Sequence, residues 1–246
     1  MVDFGVGTQP VTGTSLPGGM LHIPVAWHTV SLYTNILTAS ALQRSLNLTA
    51  CLAAKLFSGT TDKWGTPEVA DMNPGLSLVA NVDTTVKVFA WLATCPASWS
   101  GSFASTAVIS TNLTRDINRT PFALGYAVTY MAGSLPEAAL ACRDGGYVTA
   151  PQANATNTLA ALASQLPASY DQTFASVSTI NMAGERVSPL TQLDYLYLPK
   201  DVTSKGDRGA FLQGLARMAL SAEGQALISG SGLRPLGNSV IASTGR

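Results

Sequence analysis

An α/β fold is predicted by two features of the sequence. Segments with the two-residue period of strands alternate along the chain with segments of helical period. The 246 residues are 46% hydrophobic and only 11% charged, so the chain can bury enough apolar surface to form a core. This length corresponds to one or two domains. We therefore expect a mixed or parallel sheet flanked by helices.

In the first part of the chain, apolar and polar residues alternate over 21–33, which is typical of a strand. Thr49 is a suitable N-cap for a helix over 50–57, and Gly59 supplies its C-terminal signal. Residues 86–92 have helical spacing. Strand, helix and helix are thus expected in this order.

The second part of the chain continues the alternation. Residues 144–146, Asp-Gly-Gly between apolar flanks, predict a tight turn of a hairpin. Residues 156–166 are rich in Ala and Leu and predict a helix, while 193–198 predict a strand. A last helix is expected over 208–220. Its apolar residues at helical intervals are Phe211, Leu215, Met218 and Ala219.

Charge and hydropathy exclude several classes of partner. Fourteen basic and 14 acidic residues give a formal net charge of zero, without a basic run, which argues against nucleic acid and against a polybasic membrane anchor. No apolar run reaches the ~20 residues that a membrane span needs, so no membrane insertion is expected. The N-terminus has no visible targeting peptide, which leaves a cytosolic protein or one whose leader has been removed.

The sequons and the cysteines favour a protein whose leader has been removed. The number of Asn-X-Ser/Thr sequons is about twice the chance expectation. They predict glycosylation at Asn47, Asn112, Asn118 and Asn154. Cys51, Cys95 and Cys142 lack the spacing of zinc or redox sites and allow at most one internal disulfide. Cys95 with Cys142 is our hypothesis; the alternative is three small buried apolar residues.

Catalytic motifs are missing from the sequence. His22 and His28 lie in strand-like segments without a partner motif and are interpreted as structural or hinge residues. There is no nucleophile elbow, zinc-protease motif or phosphate-binding Walker loop, and Gly5-Val6-Gly7 is only half of a dinucleotide fingerprint. We expect neither enzymatic activity nor a cofactor or metal.

Seven segments, in order along nearly the whole chain, resemble the PstS-like phosphate-binding proteins, the solute receptors of bacterial phosphate transporters. The first, Val-Asp-Phe-Gly followed by Gln-Pro, is similar to that family's Val-Asp-Phe-Gly-Ala-Ser-Asp-Ala-Pro loop. Another, Pro-Leu-Gly-Asn-Ser-Val, is similar to the family's closing Pro-Leu-Pro-Asp-Ser-Val. The segments are 2–5 with 9–10, 23–24 with 30–36, 52–64 with 71–76, 89–99, 121–126, 187–200 and 233–240.

The resemblance implies a two-lobed, periplasmic-binding-protein-like (type II) α/β fold with a hinge between the lobes and an anion bound in the cleft. On this mapping lobe 1 is discontinuous, 1–25 and 191–246, and lobe 2 is 26–190. His28 and Thr191 lie near the hinge. The family has roughly 50 further residues before the first loop, so other protein segments or chains are expected to complete lobe 1.

The resemblance also implies a ligand set, in which two family residues are replaced. The family holds phosphate with main-chain amides, hydroxyls, an Arg and an Asp. Thr8 stands at that Asp position, and Asn81 stands about where the Arg is expected. The implied ligand-binding residues are Gly5, Gly7, Thr8, Asn81, Asp83, Thr84 and Thr85.

Two functions remain open at this stage. The first is a non-catalytic solute-binding domain whose affinity for phosphate or a related oxyanion is weakened or altered. The second is a structural or interaction domain of a secreted or cell-surface glycoprotein that keeps the fold without the ligand. Both place the protein outside the cell, with the periplasm as the alternative location.

Overall fold

The computed structural model describes residues 4–10, 19–36, 45–61, 64–72, 83–84, 92–95 and 112–244. Their strands are β1 (Gly5–Gly7), β2 (Met20–Thr34), β3 (Asn47–Leu48), β4 (Asp83–Thr84), β5 (Ala123–Val128), β6 (Ala139–Ala141), β7 (Tyr147–Val148), β8 (Thr191–Pro199) and β9 (Arg234–Pro235). Their helices are α1 (Ala50–Ser58), α2 (Pro67–Met72), α3 (Leu113–Arg119), α4 (Ala155–Ala163), α5 (Asp207–Leu220), α6 (Ala222–Gly230) and α7 (Asn238–Thr244).

The chain folds into two compact units. Unit 1 consists of Met1–His28, Ala155–Thr179 and Thr191–Arg246, and unit 2 consists of Thr29–Asn154 and Ile180–Leu190. This division corrects the expected 26–190 lobe, because 26–28 and 155–179 fall in unit 1. The reason is tertiary: α4 packs against α7, which lies near the C-terminus of the same unit.

Unit 1 contains β1, β8, β9 and the first part of β2. β1 pairs antiparallel with β8, β8 neighbours β2, and β9 pairs antiparallel with β2 at Ala26 and Trp27. Trp27 is buried, and its indole N–H donates to the carbonyl of Pro235 at 3.0 Å. One apolar cluster of this unit comprises Ile23, Leu196, Leu198, Val202 and Leu212.

Unit 2 contains two sets of paired strands. Residues 30–34 of β2 pair antiparallel with β5, and β4 runs parallel to β5. A three-stranded sheet pairs β3 parallel with β6 and β6 antiparallel with β7. The hairpin expected around 144–146 is therefore confirmed, and the sheets are mixed, as the alternation of elements predicted.

Local signals determine the ends of α1. The hydroxyl oxygen of Thr49 accepts from the amide of Leu52 at 3.2 Å, and Gly59 ends the helix with a φ of 75°. A residue in the left-handed conformation at this position satisfies the last carbonyls of the helix. Glycine adopts this conformation without a steric cost because it has no Cβ atom. Both predictions are confirmed. The apolar face of α1 packs with Leu32, Leu48, Trp64 and Leu124 in the main core of unit 2.

The last predicted helix is confirmed as α5, but its buried face differs from the apolar spacing. Phe211 and Met218 are 64% and 52% exposed, whereas Gly209 and Leu212 are buried. Gly209 lies so close to the carbonyl of Val202 that no side chain fits there. Close backbone approach, rather than maximal burial of large side chains, decides how α5 is rotated.

The predicted disulfide is wrong. Cys51 of α1 pairs with Cys95, which follows a short 3₁₀ turn at Leu92–Thr94, and their Cα atoms are 5.2 Å apart. Cys142, at the end of β6, is a buried free thiol whose pKa is raised mainly by burial. The pairing follows from the packing of α1 against the 3₁₀ turn, since spacing along the sequence does not choose between pairings.

Residues 86–91 of the expected helix lie outside the described residues.

Candidate functional site

The first implied ligand segment is the turn that follows β1. β1 is held by β8 in the register Gly5 to Tyr197, Val6 to Leu196 and Gly7 to Tyr195. The chain then bends at Thr8 and Gln9, and both residues are exposed. The structure therefore presents Thr8 at the surface of unit 1, directly after a strand whose position is set by main-chain pairing.

The side chain of Tyr197 holds this turn in place. Its hydroxyl donates to the carbonyl of Gln9 at 2.5 Å, and its pKa is raised by burial and by the nearby carboxylate of Asp194. A Cβ atom on Gly7 would lie 3.2 Å from the Tyr197 hydroxyl oxygen, tighter than an ordinary contact. A side chain at position 7 would therefore crowd the tyrosine ring, whatever the role of Gly7 towards a ligand.

Tyr197 belongs to a buried cluster of aromatic side chains. Tyr195 stacks on Tyr197 with ring centroids 6.1 Å apart, and the ring of His22 meets Tyr197 edge-on at 5.6 Å. His22 also stacks on Phe174 at 5.4 Å. Sequence reasoning missed this cluster, although His22 and the two tyrosines occupy alternate positions in two predicted strands. The arrangement makes the base of the turn rigid and gives His22 a packing role.

The second implied ligand segment is described only in part. Asp83 and Thr84 form β4, paired with Ala123 and Leu124. These two residues therefore lie in a strand just before the expected 86–92 helix. Asn81 and Thr85 lie outside the described residues. The implied ligand residues thus fall in two units, and the described geometry brings together only Gly5, Gly7 and Thr8.

His28 is held by polar side chains of unit 1. Its Nδ1 lies 2.8 Å from a carboxylate oxygen of Asp194, and its Nε2 lies 3.0 Å from the amide oxygen of Gln192. His28 is 4% exposed, so it is oriented by partners on β8 and is closed to solvent. The chain passes from unit 1 to unit 2 directly after His28, and it enters unit 1 for the last time at Thr191.

Unit 2 contains a polar cluster that the sequence did not indicate. Glu137 accepts from the hydroxyl of Ser31 at 2.5 Å and from the amide of Ala150 at 2.6 Å. Burial, with a contribution from Glu137, raises the pKa of Tyr33 on the same strand to about 12. These groups satisfy one another on a buried strand, which is typical of a structural network. The only available signal was the polar content of β2 at Ser31 and Tyr33.

The four sequons differ in exposure. Asn118 is exposed on α3, and Asn112, also exposed, caps the same helix by accepting from the amide of Arg115. Asn47 and Asn154 are half-buried. Two of the predicted glycosylation sites are therefore open to a modifying enzyme in the folded chain.

Within the described ranges, no group of three or more His, Cys, Asp or Glu side chains is placed to hold a metal ion. No helix in the part of the chain that the structure describes is long and apolar enough to cross a membrane. Trp27 and Trp64 are buried in their units, as expected of packing residues, while Trp91 and Trp99 lie outside the described residues.

No family model matches the sequence, and no curated protein sequence matches it either. Solved structures do match. A phosphate-binding protein from Stenotrophomonas maltophilia is similar with a TM-score of 0.68 at 12% identity, over 97% of this chain and 77% of that chain. A human phosphate-binding apolipoprotein has a TM-score of 0.65 at 16% identity, over 98% and 78%. A high-affinity periplasmic phosphate-binding protein (PfluDING), solved with phosphate bound, has a TM-score of 0.65 at 14% identity, over 98% of this chain and 77% of that chain.

These matches show the fold. The predicted α/β, periplasmic-binding-protein-like architecture is confirmed, and the structures similar to it are consistently phosphate-binding proteins.

Proposed function

We propose that this chain, which has the fold of phosphate-binding proteins, is a non-catalytic solute-binding domain for phosphate or a related oxyanion. The observation that carries the proposal is the anchored turn after β1. Thr8 lies there directly after the two glycines of β1, and Tyr197 holds the turn through the carbonyl of Gln9. Amides of a short turn and a hydroxyl are donors suited to an oxyanion.

The affinity for phosphate is expected to be weak. Residues 1–21 contain no Lys, Arg or His, so the turn offers neutral donors only. A guanidinium would add a positive countercharge and bidentate geometry to the bonds that such donors make with an oxyanion. The hydroxyl of Thr8 donates to an oxyanion, but it lacks the charge with which a carboxylate holds the proton of hydrogen phosphate. We therefore expect poor discrimination between phosphate and sulfate.

Residues of unit 2 belong to the same proposal. Asn81, Asp83, Thr84 and Thr85 are proposed to supply further ligand atoms, as the resemblance implies. Asp83 opposes anion binding by its charge unless a cation balances it. The proposal therefore predicts that Asp83→Asn strengthens phosphate binding, whereas Thr84→Ala weakens it.

Isothermal titration of the intact chain with phosphate tests the function, with sulfate and arsenate as comparators. We expect binding in the micromolar to millimolar range and about a fivefold loss on Thr8→Ala, the value of one hydrogen bond. Ser229→Ala is the matched control, because this hydroxyl is exposed on α6 of the same unit and belongs to no sequon. An absence of both heat and thermal stabilisation at millimolar phosphate would contradict the proposal.

A second candidate function is a structural or interaction domain of a secreted or cell-surface glycoprotein. The exposed side chains of Asn112 and Asn118 favour it, since both sequons are accessible on α3. Mass spectrometry of the protein from its native source, before and after glycosidase treatment, tests this candidate. A mass decrease that maps to α3 supports a secreted glycoprotein, and an unchanged mass argues against it.

A further inference from the structure

Unit 1 contains an apolar cavity bounded by β2, β8 and α5. Its volume is about 260 Å³. The apolar side chains that line it are those of Leu21, Ile23, Leu198, Val202, Ala216 and Leu220. A cavity with such a lining offers water few hydrogen-bond partners, so it is suited to an apolar ligand group.

The lining of the cavity is held in place by contacts within unit 1. Tyr170 also lines the cavity, and its carbonyl accepts from the amide of His22 at 2.8 Å. The next residue, Asp171, accepts from the ammonium group of Lys200 at 2.6 Å. The position of α5 is fixed in turn by its close backbone contact at Gly209. These contacts keep Tyr170 and α5 from closing on the cavity, which is therefore largely preformed, as small-molecule sites usually are.

The charged part of the lining is cationic. Gln213 and Arg217 line the cavity, are exposed, and lie one turn apart on the same face of α5. In the part of the chain that the structure describes, no ion pair includes Arg217 and no acidic residue lines the cavity. The nearby charges of Lys200 and Asp171 balance each other. A guanidinium beside an apolar cavity favours a ligand with an anionic head and an apolar tail.

We propose that this cavity binds a small fatty acid, with the aliphatic chain inside the cavity and the carboxylate paired with Arg217. The volume sets the length of the chain. At about 30 Å³ for a water-sized group such as a methylene, the cavity holds roughly eight or nine such groups. Burial of the chain supplies the affinity, and Arg217 selects the anion. No lining residue is an implied phosphate ligand, so this site does not rest on the proposed function.

Isothermal titration of the intact chain with octanoate tests the proposal. Acetate is the comparator that keeps the charge without the chain, and 1-octanol is the comparator that keeps the chain without the charge. We expect one octanoate to bind per chain, with a dissociation constant in the micromolar to millimolar range. Acetate should give no heat, and octanol should bind about tenfold more weakly because it makes no charge-assisted bond.

Two variants locate the ligand. Arg217→Gln should weaken octanoate binding about tenfold and leave octanol binding unchanged, since only the charged contact is lost. Ala216→Phe places a ring in the cavity and should abolish the binding of both ligands. Arg143→Gln is the matched control, because Arg143 is exposed in the hairpin of unit 2 and its replacement leaves octanoate binding unchanged. Circular dichroism verifies that all three variants are folded.

Three results would overturn the proposal. The first is that octanoate gives neither heat nor thermal stabilisation at millimolar concentration. The second is octanoate binding that is equally tight in Arg217→Gln, and the third is binding that persists in folded Ala216→Phe. Phosphate titrated into the same variants separates this site from the proposed function, because neither substitution should change phosphate binding.

Discussion

The disulfide between Cys51 and Cys95 gives a prediction whose size can be worked out from the chain. The two cysteines are separated by 44 residues. In the chain-entropy model, a cross-link that closes a loop of this length lowers the entropy of the unfolded chain by about 13 cal/mol/K, or about 4 kcal/mol at 25 °C. The double variant Cys51→Ser/Cys95→Ser should therefore lose about 4 kcal/mol of unfolding free energy.

Urea unfolding followed by circular dichroism measures this loss, with the non-reduced wild type as reference. Cys142→Ser is the matched control, because its buried thiol takes no part in the disulfide; it is expected to cost only what a small polar substitution costs in a buried site, about 1–2 kcal/mol. Peptide mapping without reduction should join the peptides of Cys51 and Cys95. A loss below about 1 kcal/mol, or a cross-link that includes Cys142, would refute the reasoning.

Two further predictions concern buried tyrosines. Burial, with a contribution from Glu137, raises the pKa of Tyr33 from 10.0 to about 12. Between these two pH values the unfolded chain releases a proton that the folded chain keeps. The free energy of unfolding therefore falls as the pH rises from about 10 to about 12. Tyr33→Phe should lose less stability between pH 9 and pH 12 in urea titrations, and equal losses would contradict the assignment. Gly7→Val should cost about 1–3 kcal/mol by forcing side-chain atoms against Tyr197. Thermal unfolding measures this loss. Gly214→Ala is the control and should be neutral or stabilising, because no atom lies within 4 Å of the added Cβ. A Gly7→Val variant with unchanged stability would argue against the close contact with Tyr197.

Part of the candidate site was predictable from residues alone. The order of motifs pointed to Gly5, Gly7 and Thr8, whose ligand role stays a prediction; the structure places the two glycines in β1 and Thr8 in the exposed turn after it. The role of Tyr197 was not predictable, because its contact with Gln9 joins residues 188 apart in the sequence. The ligand role of Asp83 and Thr84 stays a prediction, although their strand conformation is now described.

What the sequence determined by itself is local structure. The cap at Thr49, the end of α1 at Gly59 and the hairpin at 144–146 depend on atoms within a few residues of one another, so nearby residue types suffice to predict them. The fold class also follows from local signals, because it is given by the order in which strand-like and helix-like segments alternate along the chain.

Tertiary structure decided everything that depends on distant contacts. The choice of Cys51 for Cys95, the placement of 155–179 in unit 1 and the exposure of Phe211 each depend on which elements pack together. The physical reason is that a helix or strand pattern states which side chains are apolar but not which partner covers them.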